Sequence, residues 1–394
     1  MIIDYLIAFL VIFSVVLVIL LYFLPDVPIV IDKKKTLPSI SIILPVYNEE
    51  NSIGQTIHSV CNSSYPKNSS FELLVIDDGS KDNTYNVAKT IAKEYPNKVK
   101  VYRKENGGKS KALNFGILES SGQIIATLDA DCIVGKNSIE LLCQMFSDSS
   151  VMAATAAVKI KEPKNFLEKM QQIEYLFILF NRKLMANLNS VNVTPGPLSV
   201  FRRKVFDEIG LFDTSNIMED QEIALRIQSK NYRIVTNNQA IVYTIPPSTF
   251  SSYVRQRVRW NRGGLRNLIN YYYLIHPNYG DFGILIMPLW VLSVLAIFAV
   301  MGLVINNIIT GNFFEFLKYG LLIPIIYGIG PISILSIFSI ALGLIWTALG
   351  WWYYNDENLT LWNMFLYFFI YPILSTYVWL VTLFKELKME PLKW

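Results

Sequence analysis

The sequence has few of the residues on which many catalytic and metal-binding sites depend. Only two histidines and three cysteines occur in 394 residues, so there is neither a disulfide framework nor a zinc-type ligand spacing. Neither His58 nor His276 lies beside a predicted strand end that carries a carboxylate, so we expect any catalytic base to be an aspartate or a glutamate. The dinucleotide-binding pattern and the phosphate-loop pattern, both rich in glycine, are absent as well.

Charged residues are also scarce. They make up 17% of the chain, whereas hydrophobic residues make up 52%, and this balance is too apolar for a purely soluble protein. The net charge of +4 is modest, so nothing indicates a nucleic acid as a partner. The apolar excess lies in long runs near both ends of the chain.

The first apolar run covers residues 2–24 and is long enough to cross a bilayer, which takes about 20 residues. We therefore predict an N-terminal transmembrane helix in residues 1–25. A cleaved signal peptide is a weaker alternative, because no basic segment precedes the run and the run is too long. Lys33, Lys34 and Lys35 follow it, and the positive-inside rule then predicts a cytosolic domain and an external N-terminus.

Residues 281–394 are predicted to form a C-terminal transmembrane bundle of three or four spans. The candidate spans are residues 282–305, 313–329, 331–352 and 361–384. The second and third are separated only by a Gly-Ile-Gly-Pro segment, so one kinked helix would replace both and move the C-terminal tail from the inside to the outside. In either case we expect an integral protein of the cell membrane, with the lipid bilayer as a partner.

Residues 36–250 alternate between predicted strands and predicted helices, beginning with a buried strand at residues 40–46. Short connections between alternating strands and helices are typical of a mainly parallel sheet that helices cover on both faces. The sequence therefore predicts an α/β domain with a Rossmann-like sheet in this part of the chain.

Residues 251–280 join this domain to the C-terminal apolar runs and have a mixed character. The first part of this stretch carries five arginines among tyrosines, leucines and one tryptophan. A basic, aromatic stretch just before a membrane segment is typical of amphipathic interfacial helices. We expect a pair of such helices, with a break at Gly263-Gly264.

The strand predicted at residues 124–131 ends in two carboxylates, Asp129 and Asp131. If the strand continues to its last residue, both side chains share one face. The carboxyl end of a strand in an open α/β sheet is where ligands bind. Two hard oxygen ligands there suit Mg²⁺ or Mn²⁺ and leave open positions for a diphosphate. An Asp-x-Asp motif alone is a weak signal, since a strand that runs into an Asp-rich turn has the same pattern.

Two other predicted strands also end in polar segments, at Pro45–Glu50 and at Asp77–Ser80. The carboxyl ends of parallel strands meet at one edge of a sheet. A cleft large enough for a nucleotide is therefore expected at that edge.

Together these segments resemble glycosyltransferase family 2 with the GT-A fold. The similarity is to the membrane-embedded group that includes poly-N-acetylglucosamine, hyaluronan, chitin and cellulose synthases. It covers about residues 39–264, with Gln172 and Glu174-Tyr175 matching an intermediate helix. The other matching segments, in the family's order, are Pro45–Glu50, Asp77–Ser80, Gly108-Lys109 with Ala112-Leu113-Asn114, Asp129-Ala130-Asp131, Gly196-Pro197, Glu219-Asp220 and Gln256-Arg257-Val258-Arg259-Trp260.

On the donor side, the resemblance implies that Pro45, Tyr47 and Glu49 hold the nucleoside. Asp77 would contact the nucleotide base, and Lys109 would face the diphosphate. The expected donor is a nucleotide-diphosphate sugar, in particular a UDP-sugar.

At the reaction centre, the resemblance implies that Asp129 binds the sugar end of the donor and that Asp131, with Asp129, coordinates Mg²⁺ or Mn²⁺. Asp220 would be the general base, and Glu219 beside it is expected to be a catalytic residue as well. A metal neutralises a departing diphosphate, while a carboxylate deprotonates an incoming hydroxyl. Asp220 is predicted at the start of a helix, where the helix dipole favours its ionised form. The alternative is that Asp220 is only a helix N-cap.

On the acceptor side, the resemblance implies roles for Gly196, Pro197, Gln256, Arg259 and Trp260. The flat indole of Trp260 suits the C–H face of a sugar ring, although an anchor at the bilayer boundary is the alternative. The acceptor would be a growing glycan or a membrane lipid.

Three functions remain open at this point. The first is an inverting, processive synthase that builds and translocates a β-linked polysaccharide. The second is a single-transfer enzyme that glycosylates a polyprenyl phosphate or a glycolipid. The third, a catalytically inactive nucleotide-sugar sensor or scaffold, is disfavoured by the presence of Asp129, Asp131 and Asp220. The resemblance to polymerising enzymes at residues 256–260 and the several predicted spans favour the first.

Overall fold

The computed structural model describes residues 2–24, 36–66, 70–311, 331–354 and 359–391. The chain divides into two compact units. One consists of residues 26–274, and the other combines residues 1–25 with residues 275–390.

Strands and helices alternate through the first half of the unit of residues 26–274, as the sequence predicts. The strands pair in parallel in the order β3-β2-β1-β4. The elements are β1 (Ile40–Val46), α2 (Ile53–Cys61), β2 (Phe71–Asp77), α3 (Thr84–Ala92), β3 (Val99–Arg103), α4 (Lys109–Glu119) and β4 (Ile124–Thr127), with α1 (Ile2–Phe23) belonging to the other unit.

The second half of this unit extends the same sheet with antiparallel pairs. The elements are β5 (Ile133–Val134), α5 (Ser138–Gln144), β6 (Val151–Ile160), α6 (Phe166–Asn187), β7 (Ser199–Arg202), α7 (Arg203–Ile209), α8 (Glu219–Ser229), β8 (Arg233–Thr244) and α9 (Phe250–Asn270). Strand β7 lies antiparallel between β4 and β6, and β8 runs parallel to β6. Among the described residues, eight strands form one sheet in the order β3-β2-β1-β4-β7-β6-β8-β5.

The sequence patterns did not predict β5, β7, α7 or β8. Polar residues interrupt β8 at Asn237–Gln239, and the pairing register with β6 shifts opposite this segment. The strand therefore lacks the mostly apolar character that marks β1 and β2.

Helices cover both faces of the sheet, which explains why β1 is buried at every position. Ile42 and Leu44 point into one apolar cluster, and Ile43 points into the cluster on the opposite face. Helix α4 lies against Ile43 at Gly116, where a Cβ atom would come within 2.4 Å of the isoleucine Cγ2. The N-terminus of α4 is thereby held at the sheet edge that carries the predicted site.

Helix α9 is continuous from Phe250 to Asn270, so the break expected at Gly263-Gly264 is wrong. Thr249 and Ser252 close its N-terminus with a capping box. Glycine inside a helix costs only about 1 kcal/mol relative to alanine. At Gly263 the absence of a side chain also leaves room for Met218, because a Cβ atom on Gly263 would lie 2.2 Å from Cγ of Met218.

The other unit consists of α1, α10 (Met287–Ile309), α11 (Pro331–Tyr354) and α12 (Leu361–Leu387), with a π-helical turn at Phe282–Ile286 before α10. Within the described part of the chain, Phe282–Ala299 and Trp362–Leu387 are long and apolar enough to cross a membrane. Ile12–Phe23 is a shorter apolar helix. The predicted span at residues 313–329 lies outside the described residues.

Candidate active site

Strand β4 ends at Thr127, two residues before the first of the two aspartates, so the expected strand through Asp131 is too long. The alternation of side chains along a strand therefore does not determine where the side chains of Asp129 and Asp131 point. They lie in a turn, in which the Cys132 N–H donates to the Asp129 carbonyl at 3.3 Å. The Leu128 N–H still bonds to the Ile43 carbonyl of β1, so the turn starts at the sheet edge.

Asp131 is surrounded mainly by negative charge. The pKa of its carboxyl is raised to about 6, mainly by burial and also by the charges of Asp129 and Glu49, while a hydrogen bond from the Cys132 thiol acts in the opposite direction. A carboxylate in such surroundings is stabilised in its charged form by a cation.

The donor set at this turn fits a divalent cation that substrate phosphates also bind. In the described ranges, no three Asp, Glu, His or Cys side chains are grouped closely enough to hold a metal by themselves. Mg²⁺ is usually bound by one or two carboxylates together with phosphate oxygens and water. Asp131 and Asp129 are the residues that would hold it.

Lys109 connects the ends of three elements. It opens α4, and its Nζ atom lies 2.6 Å from Oδ1 of Asp129 after β4 and 2.9 Å from Oε1 of Glu219 at the start of α8. Burial would lower the pKa of Lys109, but the two carboxylates raise it, so the ammonium stays charged. A fixed positive charge at the sheet edge can bind a phosphate group.

Gly196 lies directly against the pair of Lys109 and Asp129. A Cβ atom at this position would come within 2.5 Å of Asp129 Oδ2 and 2.7 Å of Lys109 Nζ, so a larger residue would displace the paired side chains. The sequence prediction placed Gly196 and Pro197 on the acceptor side. The structure places Gly196 at the centre of the site and Pro197 beside it, half-buried.

Asp220 is the second residue of α8 and is not its N-cap, which is Met218. Both the N–H and the hydroxyl of Thr194 donate to the Asp220 carbonyl, at 3.0 and 2.8 Å. The Asp220 carboxylate accepts the N–H of Gln221 at 2.8 Å. These contacts hold both the backbone and the side chain of Asp220.

The protein environment raises the pKa of Asp220 to about 6, although a helix start by itself favours the ionised form. Burial is the main cause, and the charge of Glu219 adds to it, while Lys109 and Arg259 act in the opposite direction. A general base works best when its pKa lies near the operating pH. Asp220 therefore has the ionisation behaviour that proton abstraction near neutral pH requires.

Asp77 ends β2 and is fully buried. Its Oδ1 accepts the N–H of Ser80 at 3.2 Å. Its Oδ2 lies 3.1 Å from Nε of Arg103 but without hydrogen-bond geometry, so this oxygen can still accept a hydrogen bond. Arg103 itself lies over the Tyr85 ring, at 5.1 Å from the centroid. No role was predicted for Arg103 from the sequence, in which its position at the end of a predicted strand is the only indication of a role at this edge.

The segment after β1 is bound to the loop after β2. The Asn48 N–H donates to the Ser80 hydroxyl at 3.0 Å, and the Glu49 N–H donates to the Thr84 hydroxyl at 2.7 Å. Tyr47 remains exposed, with 42% of its surface accessible. An exposed aromatic ring on a fixed loop can stack on a nucleotide base.

Asp78 shapes the glycine loop that precedes Lys109. Its carboxylate accepts the N–H of Gly108 at 2.7 Å and the N–H of Gly107 at 3.1 Å, and it also pairs with Lys104. This role of Asp78 was not predicted from the sequence, in which the only signal for it is the pair of adjacent acidic residues at 77 and 78.

Helix α9 meets α6 through a buried ion pair. The Arg257 Nε donates to Oε1 of Glu174 at 3.0 Å, and both residues are buried. The Arg257 guanidinium also lies 4.1 Å from the ring centroid of Trp260 and 4.8 Å from that of Tyr253. Trp260 is half-buried and held by a cation–π contact, and Gln256 accepts a hydrogen bond from Arg257.

The structure thus brings one group of predicted residues into direct contact and leaves the others around it. Lys109 pairs with both Asp129 and Glu219, and Gly196 lies against Lys109 and Asp129. The charge of Asp129 also influences the pKa of both Asp131 and Asp220. The predicted nucleoside residues lie on β1, β2 and the segments after them, and the predicted acceptor residues of 256–260 lie on α9.

Aspartates therefore line the sheet edge, beside a lysine at the start of a helix and a carboxylate with a raised pKa. Residues 41–210 match the family model of Glycosyl transferase family 2, so this segment is a glycosyltransferase family 2 domain.

Known proteins of this kind are similar in sequence. The chain is 33% identical over 230 residues to poly-beta-1,6-N-acetyl-D-glucosamine synthase of Staphylococcus aureus (strain MSSA476), covering 58% of this chain and 55% of that protein. It is 30% identical over 227 residues to the protein of the same name from Staphylococcus epidermidis, covering 57% and 54%. The chain spans about half the length of these relatives.

A solved structure confirms the GT-A-like α/β fold. The mannosyltransferase PcManGT from Pyrobaculum calidifontis, in complex with GDP-Man and Mn²⁺, has a TM-score of 0.67 and 19% sequence identity. The likeness covers 88% of this chain and 97% of that one.

Proposed function

We propose that this chain is an inverting glycosyltransferase that uses a nucleotide-diphosphate sugar, UDP-linked, to extend a β-linked polysaccharide at a membrane. The observation that carries the proposal is the contact of Lys109 with both Asp129 and Glu219, next to Asp131 and Asp220, in a glycosyltransferase family 2 domain.

On the donor side, Tyr47 and the free oxygen of Asp77 would bind the base, with Arg103 holding that carboxylate in place. Lys109 would bind the diphosphate. Asp131 and Asp129 would hold Mg²⁺ or Mn²⁺, which supplies positive charge against the departing diphosphate. The Mn²⁺ in the structurally similar mannosyltransferase supports a divalent cation here.

On the acceptor side, Asp220 would accept the proton of the attacking hydroxyl. The acceptor oxygen then forms a bond to the anomeric carbon, while the bond from that carbon to the diphosphate breaks on the opposite face. This direct displacement inverts the configuration of the sugar. Glu219 is paired with Lys109 and is 3% exposed, so its role is to position that lysine rather than to abstract a proton.

The acceptor is proposed to be a growing glycan, because the sequence relatives carry the name of a polysaccharide synthase. Trp260 would bind its terminal sugar, together with Gln256 and Arg259. The apolar helices would insert into the bilayer and leave the transferase domain in the cytosol.

The test is to incubate membranes that contain the protein with labelled UDP-N-acetylglucosamine, other UDP-sugars and GDP-mannose, with Mg²⁺ or Mn²⁺. A large labelled polymer supports the proposal. A product that extracts into organic solvent indicates a lipid acceptor instead. Absence of nucleotide release from every donor would contradict a transferase function.

A further inference from the structure

Four residues on one face of α9 contact the segment that carries Asp220. Arg259, Gly263, Asn267 and Tyr271 are spaced four residues apart, so they form one stripe along the helix. Arg259 donates to the Ile217 carbonyl at 3.4 Å, and Tyr271 donates its hydroxyl hydrogen to the Glu222 carboxylate.

Asn267 lies in the middle of the stripe and is completely buried. Its Oδ1 accepts a hydrogen bond from the Asn216 amide at 2.7 Å, and its Nδ2 donates to Oε1 of Gln221 at 3.0 Å. Asn216 in turn accepts the N–H of Met218 at 2.9 Å. One buried amide on α9 thus bonds to the chain on both sides of Glu219 and Asp220.

Gly263 brings the stripe into close contact with the same segment. A Cβ atom there would lie 2.2 Å from Cγ and 3.0 Å from Cβ of Met218, the N-cap of α8. The two backbones therefore approach as closely as their side chains allow, and the start of α8 has no room to move toward α9.

We propose that Asn267 is a positioning residue, which sets the place of the Asp220 carboxylate through Asn216 and Gln221, with Gly263 fixing the distance between α9 and α8. This inference rests on the proposed role of Asp220 as the base. It extends that role to α9, because the helix that carries Trp260 would also hold the base for the acceptor hydroxyl. The single helix α9 would then fix the position of both the acceptor site and the catalytic base.

The first test compares Asn267→Ala with Gln228→Ala in the full-length protein. Gln228 is a matched control, since it is also a buried amide and lies on α8, the helix that carries Asp220. It donates to the Val191 carbonyl at 3.0 Å, two turns from Asp220. A displacement of a catalytic group by about 1 Å can cost 100-fold in rate. We expect kcat per folded enzyme to fall about 10- to 100-fold in Asn267→Ala, with an unchanged donor KM.

Gln228→Ala should keep the wild-type kcat even if it loses as much thermal stability as Asn267→Ala does. Equal losses of kcat in the two variants, or a kcat within twofold of wild type in Asn267→Ala, would overturn the inference. If the wild-type protein releases no nucleotide at all, the proposed function fails instead, so the two failures are distinguishable. Should Asn267→Ala not fold, Gln221→Ala removes only one of the two bonds and should show a smaller loss of kcat with the same unchanged donor KM.

The second test uses size complementation between α9 and the α8 N-cap. Gly263→Ala should push Met218 away and lower kcat, again without a change in donor KM. Adding Met218→Ala removes the Cγ atom that the new methyl group meets and should restore most of kcat. A double variant as slow as Gly263→Ala alone would show that this contact does not position the base.

Discussion

The proposed donor side and the proposed acceptor side of the site are built by different means. Asp77, Asp129 and Lys109 each lie at the end of a strand or the start of a helix, within a few residues of the sheet edge. The acceptor side depends on pairs that are far apart in the chain, such as Glu174 with Arg257 and Asn216 with Asn267. A parallel sheet aligns strand ends by its own geometry, whereas the acceptor side requires α9 to pack in one position.

This difference also appears in the polar groups that each side buries. The donor side keeps partly exposed charges that a nucleotide and a cation can reach, with Asp129 at 27% and Lys109 at 24% side-chain exposure. The acceptor side buries its ion pair, at 6% for Arg257 and 7% for Glu174. The pair of Lys109 and Asp129 therefore stays accessible to a ligand, whereas the pair of Arg257 and Glu174 is closed to solvent.

The largest expected effect is on the donor side. Asp131→Ala should reduce nucleotide release and product formation about 1,000-fold or more, because several kcal/mol of charge stabilisation in the transition state are lost. Titration with UDP and Mn²⁺ should show weakened cation binding by a protein that melts as the wild type does. Full activity in excess chelator would contradict this role.

The matching change on the acceptor side should separate transfer from binding. Asp220→Asn removes only proton acceptance, so kcat should fall about 10²- to 10⁴-fold, while calorimetry still detects UDP and cation binding. Loss of UDP binding in this variant would mean that Asp220 is structural, and the contrast between the two sides would fail.

The ion pair of the acceptor side should matter most for stability. Glu174→Ala leaves the Arg257 guanidinium buried without its partner, which typically costs about 3–5 kcal/mol. Chemical denaturation of the purified protein in detergent should detect this loss. Lys100→Ala is a control in the same sheet, at the amino ends of β2 and β3, since Lys100 is half-exposed in its ion pair with Glu72 and its loss should cost about 1 kcal/mol or less.

A smaller effect is expected at Trp260. Trp260→Ala should lower product formation about tenfold, in the range of one aromatic contact of about 1.4 kcal/mol, while UDP binding and slow hydrolysis of the donor continue. Measuring UDP release and product in the same sample tests this. An unchanged product yield would make Trp260 an anchor of the helix rather than an acceptor contact.

The mildest perturbation is a change of pH. The pKa of Asp220 is raised to about 6, and only its ionised form can accept a proton. The value of kcat should therefore hold above pH 6 and fall with decreasing pH below it, by about tenfold per unit in the limit of one essential base. A profile that stays flat down to pH 4.5 would contradict a raised pKa at the base.

Sequence patterns predicted the first four parallel strands well, because strand features are local. The mostly apolar segments of β1 and β2 marked these strands, and the polar residues after them marked the sheet edge. The same reasoning failed where the local pattern was not the deciding force. It left open a strand that continues to Asp131, although β4 ends at Thr127, and it expected a break at Gly263-Gly264 in a helix that is continuous.

The sequence by itself determined the alternation of strands and helices in residues 40–127, the set of carboxylates at the strand ends and the similarity to glycosyltransferase family 2. These follow from residue order, since periodicity and strand ends are local properties. Only the tertiary structure decided that Lys109 bridges Asp129 and Glu219, that Asp220 has a raised pKa, and that Asn267 joins α9 to α8. Burial and pairing depend on which distant residues come into contact, and no short segment of the chain contains that information.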